Sequence, residues 1–254
     1  MERTQRAAQR HRTPQIQDLN VHKIRFGDEG QAATRDLVAQ FEGLAARIAQ
    51  VASPAIAKLR GELKALEAID RQYGGSGPLP LEDAGDLAAA TLADLARLEN
   101  DCRHEEEEIV LEIAHLAVAV ALWAVRHAVA LTVAEPVTNA LAHLSNAARS
   151  KAELSAVFGV MQGVIENVRP ALQSDLERSN PQRPWRLLHV NLAITAVRTE
   201  DSSLMELAFD ALDEALPAER ASFYAEALSL AMGPKVAATV RAAIEKRHGR
   251  WSLS

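Results

Sequence analysis

At 254 residues, with 48% apolar and 24% charged side chains, the chain has room for one large or two small globular domains, and its composition excludes a disordered or fibrous protein. A lone cysteine, Cys102, excludes an intramolecular disulfide framework, and a net charge of −6 disfavours nucleic acid as a partner. Aromatic residues are only 4% of the chain and β-branched alternation is almost absent. Local propensity therefore favours helix nearly throughout, and the expected class is all-α.

The charge is unevenly placed. Residues 1–25 carry a net +4, residues 234–254 another +4, and the remainder −14. Residues 1–29 read as a basic, flexible N-terminal arm of the kind that holds phosphates or an anionic membrane surface. The first residues have no apolar core of a secretory signal, which places the expected protein in the cytoplasm.

From residue 30 to residue 135 the pattern predicts a long helical hairpin followed by a central apolar helix. Leu37, Phe41, Leu44, Ile48 and Val51 alternate steps of four and three, and Leu59, Leu63, Leu66 and Ile69 resume the stripe after Pro54. This is a coiled-coil-like pattern with a kink or a new start at the proline. YGGSGPLPLED, residues 73–83, holds three glycines and two prolines and predicts a flexible turn that sends the chain back. Its Gly-Gly-Ser-Gly lacks the spacing and the strand-to-helix context of a nucleophile elbow. A second stripe, Leu87, Leu92, Leu95 and Leu98, runs to an expected break near Asn100 and Asp101.

HEEEEIVLEIAHLAVAVALWAVRHAVALTVAEP, residues 104–136, then runs four glutamates into an apolar helix. Its longest stretch free of charge and histidine is residues 116–125, which at about 1.5 Å per residue covers half of a bilayer core of about 30 Å, so no transmembrane segment is expected. On a continuous helix His104, Glu108, Glu112 and His115 share one stripe. Glu112-Ile-Ala-His115 has the Glu-x-x-His spacing found in ferritin-like di-iron bundles. This makes Glu108, Glu112 and His115 the candidate ligands for iron or manganese; Glu245-Lys-Arg-His248 repeats the spacing in what reads as an exposed last turn. The preferred expectation is structural, with no cofactor: acidic residues favour the first turn of a helix, His115 partners Glu112, and Arg126 finds an acid on another helix. Cys102 reads as a small core residue.

After Pro136 the texture changes to a bundle of short helices, expected at 137–148, 151–168, 170–179, 184–198, 203–215, 218–232 and 235–248, within a third region, 136–254. Ser150 and Glu153 have capping-box spacing, Pro184, Pro217 and Pro234 suit first-turn positions, and Gly233 and Gly249 suit C-terminal caps. Two Trp-x-x-x-His pairs, Trp123 with His127 and Trp185 with His189, place their rings on one helix face. They suit either a ligand or haem pocket or, as preferred here, core-edge residues whose imidazoles reach solvent or a carbonyl.

With no assembled catalytic set in view, the leading expectation is a non-enzymatic α-helical scaffold or adaptor acting through a protein partner or self-association. The alternatives are a ferritin-like di-metal oxidoreductase using Glu108, Glu112 and His115, and a peripheral membrane-binding helical protein using the basic arm.

Overall fold

The computed structural model describes residues 31–51, 53–172, 183–234 and 236–252. The basic arm expected at residues 1–29 lies outside them. Among the described residues the chain forms ten helices and no strand: α1 (Gln31–Arg47), α2 (Ala55–Tyr73), α3 (Ala84–Asp101), α4 (Glu107–Arg126), α5 (Glu135–Ala147), α6 (Lys151–Leu172), α7 (Pro184–Thr199), α8 (Ser202–Ala215), α9 (Arg220–Ala231) and α10 (Ala238–Trp251). The all-α class follows directly from them.

Helices adjacent in sequence pack on one another, except that α8 and α9 meet only through side chains such as Tyr224 and Asp213, and α4 also meets α1 and α6. The stripe residues Leu37, Phe41, Leu44, Ile48, Leu59, Leu63, Leu66, Leu92, Leu95 and Leu98 are all buried. At about 1.5 to 3 kcal/mol for each buried leucine or phenylalanine, these contacts hold the first four helices together. Pro54 stands at the N-cap of α2, and residues 48–54 separate α1 from α2 outright.

The next break lies where Asn100 and Asp101 place it. α3 ends at Asp101 and a short turn precedes α4, with the buried Cys102 donating its backbone N–H to Leu98 O. In α4 every residue from 116 to 124 is buried, in contact with α1, α3, α5 and α6. Its 20 residues also satisfy the length and composition of a membrane span, and 67% of that apolar window is buried inside this fold. α4 ends in a Schellman motif. Ala128 takes a left-handed φ of 54°, its N–H bonds Val125 O at 3.2 Å, and Val129 N–H bonds Ala124 O at 2.9 Å.

Several later boundaries move, each for a local reason. α6 continues through Pro170, where a break was expected; the proline sits near the helix end, and the one carbonyl it orphans belongs to the exposed Glu166. The remainder of the helix expected at 170–179 lies outside the described residues. The capping box forms as its spacing predicts: Glu153 N–H donates to Ser150 Oγ and Glu153 Oε2 accepts from the backbone of Arg149 and Ser150. Pro184 opens α7, whereas Pro217 and Pro234 lie in the turns before α9 and α10. α10 runs through Gly249 to Trp251 because the Trp251 indole donates to Asp213 Oδ2 at 3.0 Å, an anchor that outweighs the roughly 1 kcal/mol cost of an interior glycine.

One polar cluster ties α2, α4 and the loop between α2 and α3 together. Asp70, 0% exposed, accepts on Oδ1 from the Trp123 indole at 2.7 Å and from His127 Nε2 at 2.8 Å. Arg126 Nη2 stands 3.6 Å from Oδ2, which supplies the acid from another helix that Arg126 was expected to need. Burial pushes the Arg126 guanidinium down and the Asp70 charge opposes that shift. The glycine-rich loop is held at Gly77, whose N–H donates to Arg126 O at 2.9 Å and whose carbonyl faces His127 Nδ1 at 3.0 Å. Gly77 adopts φ 103°, a conformation costly for other residues. The loop expected to be flexible is therefore tethered at its middle.

Asp70→Ala leaves the partly buried Arg126 cation without its counter-charge and the buried Trp123 and His127 donors without this acceptor. It is expected to lower stability by about 3 to 5 kcal/mol in urea unfolding, and to make residues 74–83 the first site of protease cutting. Asp70→Asn keeps an acceptor for Trp123 and should fall between wild type and Asp70→Ala. A loss within about 0.5 kcal/mol for Asp70→Ala would contradict this account.

Candidate functional site

The candidate metal ligands do not assemble. His104 lies in the turn before α4 and off the helix, which breaks the four-residue stripe. Glu108 is 71% exposed, so it faces solvent and not a bundle interior. The Arg47 guanidinium of α1 reaches both acids, with Nη1 2.5 Å from Glu112 Oε1 and Nη2 3.7 Å from Glu108 Oε2. A fixed cation thus occupies the space between the two carboxylates. Glu112 is held by this guanidinium, and His115 Nδ1 bonds Leu111 O at 2.7 Å. Among the described residues no three His, Cys, Asp or Glu side chains are arranged to hold a metal ion.

The Trp–His pairs lie deeper than the core edge where they were expected: Trp123, His127 and His189 are buried and Trp185 is half-buried, and both imidazoles reach a carbonyl. His127 reaches Gly77 O, and His189 bonds Trp185 O at 2.8 Å. Their rings lie 4.9 Å and 4.3 Å from the tryptophan rings on the same helix face.

A pair of carboxyl groups meets between α2 and α3. Asp94 is held by Arg97 at 2.7 Å and Lys58 at 3.8 Å, and Glu62 Oε2 is buried with no hydrogen-bond partner among the described residues. Burial first, then the charge and hydrogen bond of Asp94, raise the Glu62 carboxyl above its ordinary value.

The C-terminal helices are organised by a residue that sequence placed on the surface. Arg247 was expected in an exposed last turn, yet it is buried. Its guanidinium contacts Asp213 Oδ2 at 2.8 Å, Glu206 Oε2 at 2.6 Å and Asp210 Oδ1 at 2.7 Å. Burial works against its charge, but the hydrogen bonds it donates to Asp210, Glu206 and Asp213 outweigh this and raise its pKa. Asp213 also accepts from the Tyr224 hydroxyl at 2.9 Å, and its backbone carbonyl accepts from Arg220. The spacing of Glu206, Asp210 and Asp213 on one face of α8 was the available signal for this cluster.

This cluster fixes α9 and α10 to α8 and leaves an open apolar cavity between them and α7. Its volume is about 390 Å³, within the size range of ligand and side-chain pockets. α7 contributes Val190, Ile194 and Val197, α9 contributes Phe223, Ala227 and Leu230, Phe209 of α8 and Val240 and Ile244 of α10 complete the apolar lining, and Arg186, Arg198 and Glu226 add charge at its wall. Arg186 Nε bonds Glu219 at 2.7 Å, and Arg198 donates to Ser145 O at 2.6 Å at the end of α5. Ile194 is 46%, Leu230 71% and Met232 64% exposed. Sequence reasoning missed this cavity; its signal was the apolar residues distributed around both α7 and α9, two short helices without enough neighbours to cover them.

Two outcomes follow for the acidic groups. Protein prepared with iron and manganese supplied should carry substoichiometric metal, unchanged by Glu112→Ala; about one or two ions per chain, lost on substituting Glu108, Glu112 or His115, would restore the di-metal reading. For Glu62, a raised folded-state pKa contributes stability that is present below the ordinary glutamate value of 4.5 and lost as pH rises through the folded-state value. Glu62→Gln, which cannot ionise, should therefore raise the melting temperature relative to wild type near about pH 7 and lose that advantage near about pH 4. An equal effect at both pH values would exclude the pairing with Asp94 as its cause.

Compared with known protein families, curated proteins and solved structures, the chain shows no match.

Proposed function

We propose that this chain is a non-enzymatic helical interaction protein, and that its docking site is the apolar cavity between α7, α9 and α10. The observation that carries this reading is the coincidence of an open cavity with two markedly exposed apolar residues in its lining, Ile194 and Leu230. Isolated apolar residues on a surface need no explanation, but a contiguous patch around a concavity is the usual mark of a site that is covered in a complex. An apolar centre with charged residues at its edge also matches the anatomy of protein interfaces, where a desolvated core carries the affinity and a polar rim supplies specificity. The occupant is a protein segment presenting an apolar helix face. The first four helices, with their tethered loop, then serve as the scaffold that carries the docking end. Adaptor and scaffold functions need only this much chemistry.

Photo-cross-linking tests the site. With p-benzoyl-phenylalanine in place of Leu230, irradiation in the cells that make the protein should yield a discrete adduct. The adduct should be lost with Ile194→Glu, which charges the cavity wall. It should also be absent when the probe replaces the exposed Lys64 on α2. No adduct at Leu230, or equal adducts at Leu230 and Lys64, would sink the docking reading.

A further inference from the structure

α9 is an incompletely covered helix. Of its residues only Tyr224 and Ala231 are buried, although Phe223, Ala227, Leu228 and Leu230 make it apolar on several sides. A helix with that pattern ordinarily has neighbours around most of its circumference; here α10 and the Asp213 cluster hold one side. The outward side is exposed at Ser222, Ala225, Glu226, Ser229 and Leu230: three small residues that permit close approach of another helix, one acid and one long apolar residue.

The charges along that face have an order. Glu226 lies one turn before Leu230, is exposed, and makes no ion pair among the described residues. Arg241 lies just beyond Leu230, where its guanidinium donates to Ala231 O at 3.2 Å and Gly233 O at 3.4 Å, and it too has no carboxylate partner among the described residues. Read along α9, the surface therefore runs acid, apolar, base. A two-fold axis near Leu230 reverses that order, so the acid of each copy meets the base of the other while the apolar residues meet at the centre. Two-fold interfaces need such a self-complementary patch, since the same surface is used on both sides. An unrelated partner would require no such order.

We infer that α9 is a self-association surface: two copies of this chain pack α9 antiparallel, Leu230 and Met232 of each protomer covering the other's cavity mouth at Ile194, with Glu226 of one protomer paired with the partner's Arg241. The inference rests on the docking reading above and names its occupant. The overall charge of −6 opposes association of two copies, and the mixed charges of this rim keep that repulsion away from the contact.

Sedimentation velocity of the full chain across a concentration series is the test. Wild type should sediment at twice 27.5 kDa, and Leu230→Glu should be monomeric. Glu226→Arg places like charges together at both symmetric contacts and should weaken the dimer by about ten-fold or more. Arg241→Glu should do the same. An equimolar mixture of Glu226→Arg and Arg241→Glu chains should recover the dimer, because in the mixed pair both contacts join opposite charges. Arg241 also caps α9, so the helicity of Arg241→Glu is checked by circular dichroism; if it is lost, Leu230→Glu and Glu226→Arg, both at exposed positions, decide the question. Wild type that stays monomeric, or a dimer indifferent to Leu230→Glu and Glu226→Arg, overturns the inference. The two readings separate in the cross-linking experiment. An adduct at a mass other than twice the chain overturns self-association and leaves the docking site standing, whereas no adduct removes both.

Discussion

Asp70 is a carboxylate that the surrounding core cannot solvate, and the first half of the fold is arranged to satisfy it. One oxygen accepts from both the Trp123 indole and the His127 imidazole, while Arg126 supplies the opposite charge at the other. Trp123, Arg126 and His127 stand within one turn at the end of α4, so two hydrogen bonds and one ion pair fix the rotation and the depth of α4 against α2. His127 Nδ1 and the Arg126 carbonyl then hold Gly77, and the direction in which the chain enters α3 follows. The Schellman ending of α4 belongs to the same arrangement. By turning the backbone at Ala128 it releases the chain from the helix immediately after His127 has reached its partners. Apolar burial supplies most of the driving force for packing these helices, but it is non-directional; the geometric choice among possible packings comes from hydrogen bonds that would be costly to leave unmade.

A second buried ionic cluster plays the same part at the other end of the chain. Arg247 draws Glu206, Asp210 and Asp213 of α8 to α10, and Tyr224, Arg220 and Trp251 add contacts to Asp213. Because the cluster engages α9 on one side only, it determines which face of α9 is left open. The cavity beside α7 is thus a consequence of how the C-terminal helices are anchored, and the exposure of Leu230 and Met232 follows from it. An interaction surface formed this way is attached to a rigid support, which reduces the ordering cost of binding.

The helical class and most helix positions were legible because they rest on local signals. The alternating stripes at Leu37 to Ile48, Leu59 to Leu66 and Leu92 to Leu98 became buried faces, Pro54 and the Asn100-Asp101 pair marked breaks, and Ser150 with Glu153 formed the capping box that their spacing predicts. The need of Arg126 for an acid on another helix was legible as well, although which acid was not. The errors came where a distant residue overrode a local preference. Gly249 does not end α10 because Trp251 is anchored on α8. Arg247 looked like a surface residue because its three acids lie 34 to 41 positions away in sequence. Glu112 takes Arg47 of α1 as its cation, a partner that no local spacing reveals.

What the sequence determined by itself was therefore the set of helices, their apolar faces and the requirement that each buried charge be paired, since these follow from residue spacing, backbone propensity and the cost of burying an isolated ion. The tertiary structure alone decided which helices meet, which acid answers each base, that a guanidinium lies between Glu108 and Glu112, and that α7 and α9 stand apart around an open cavity. The physical reason is range. Periodicity and capping act within a few residues along the chain, whereas the partners of Asp70, Arg47 and Arg247 are brought together only by packing.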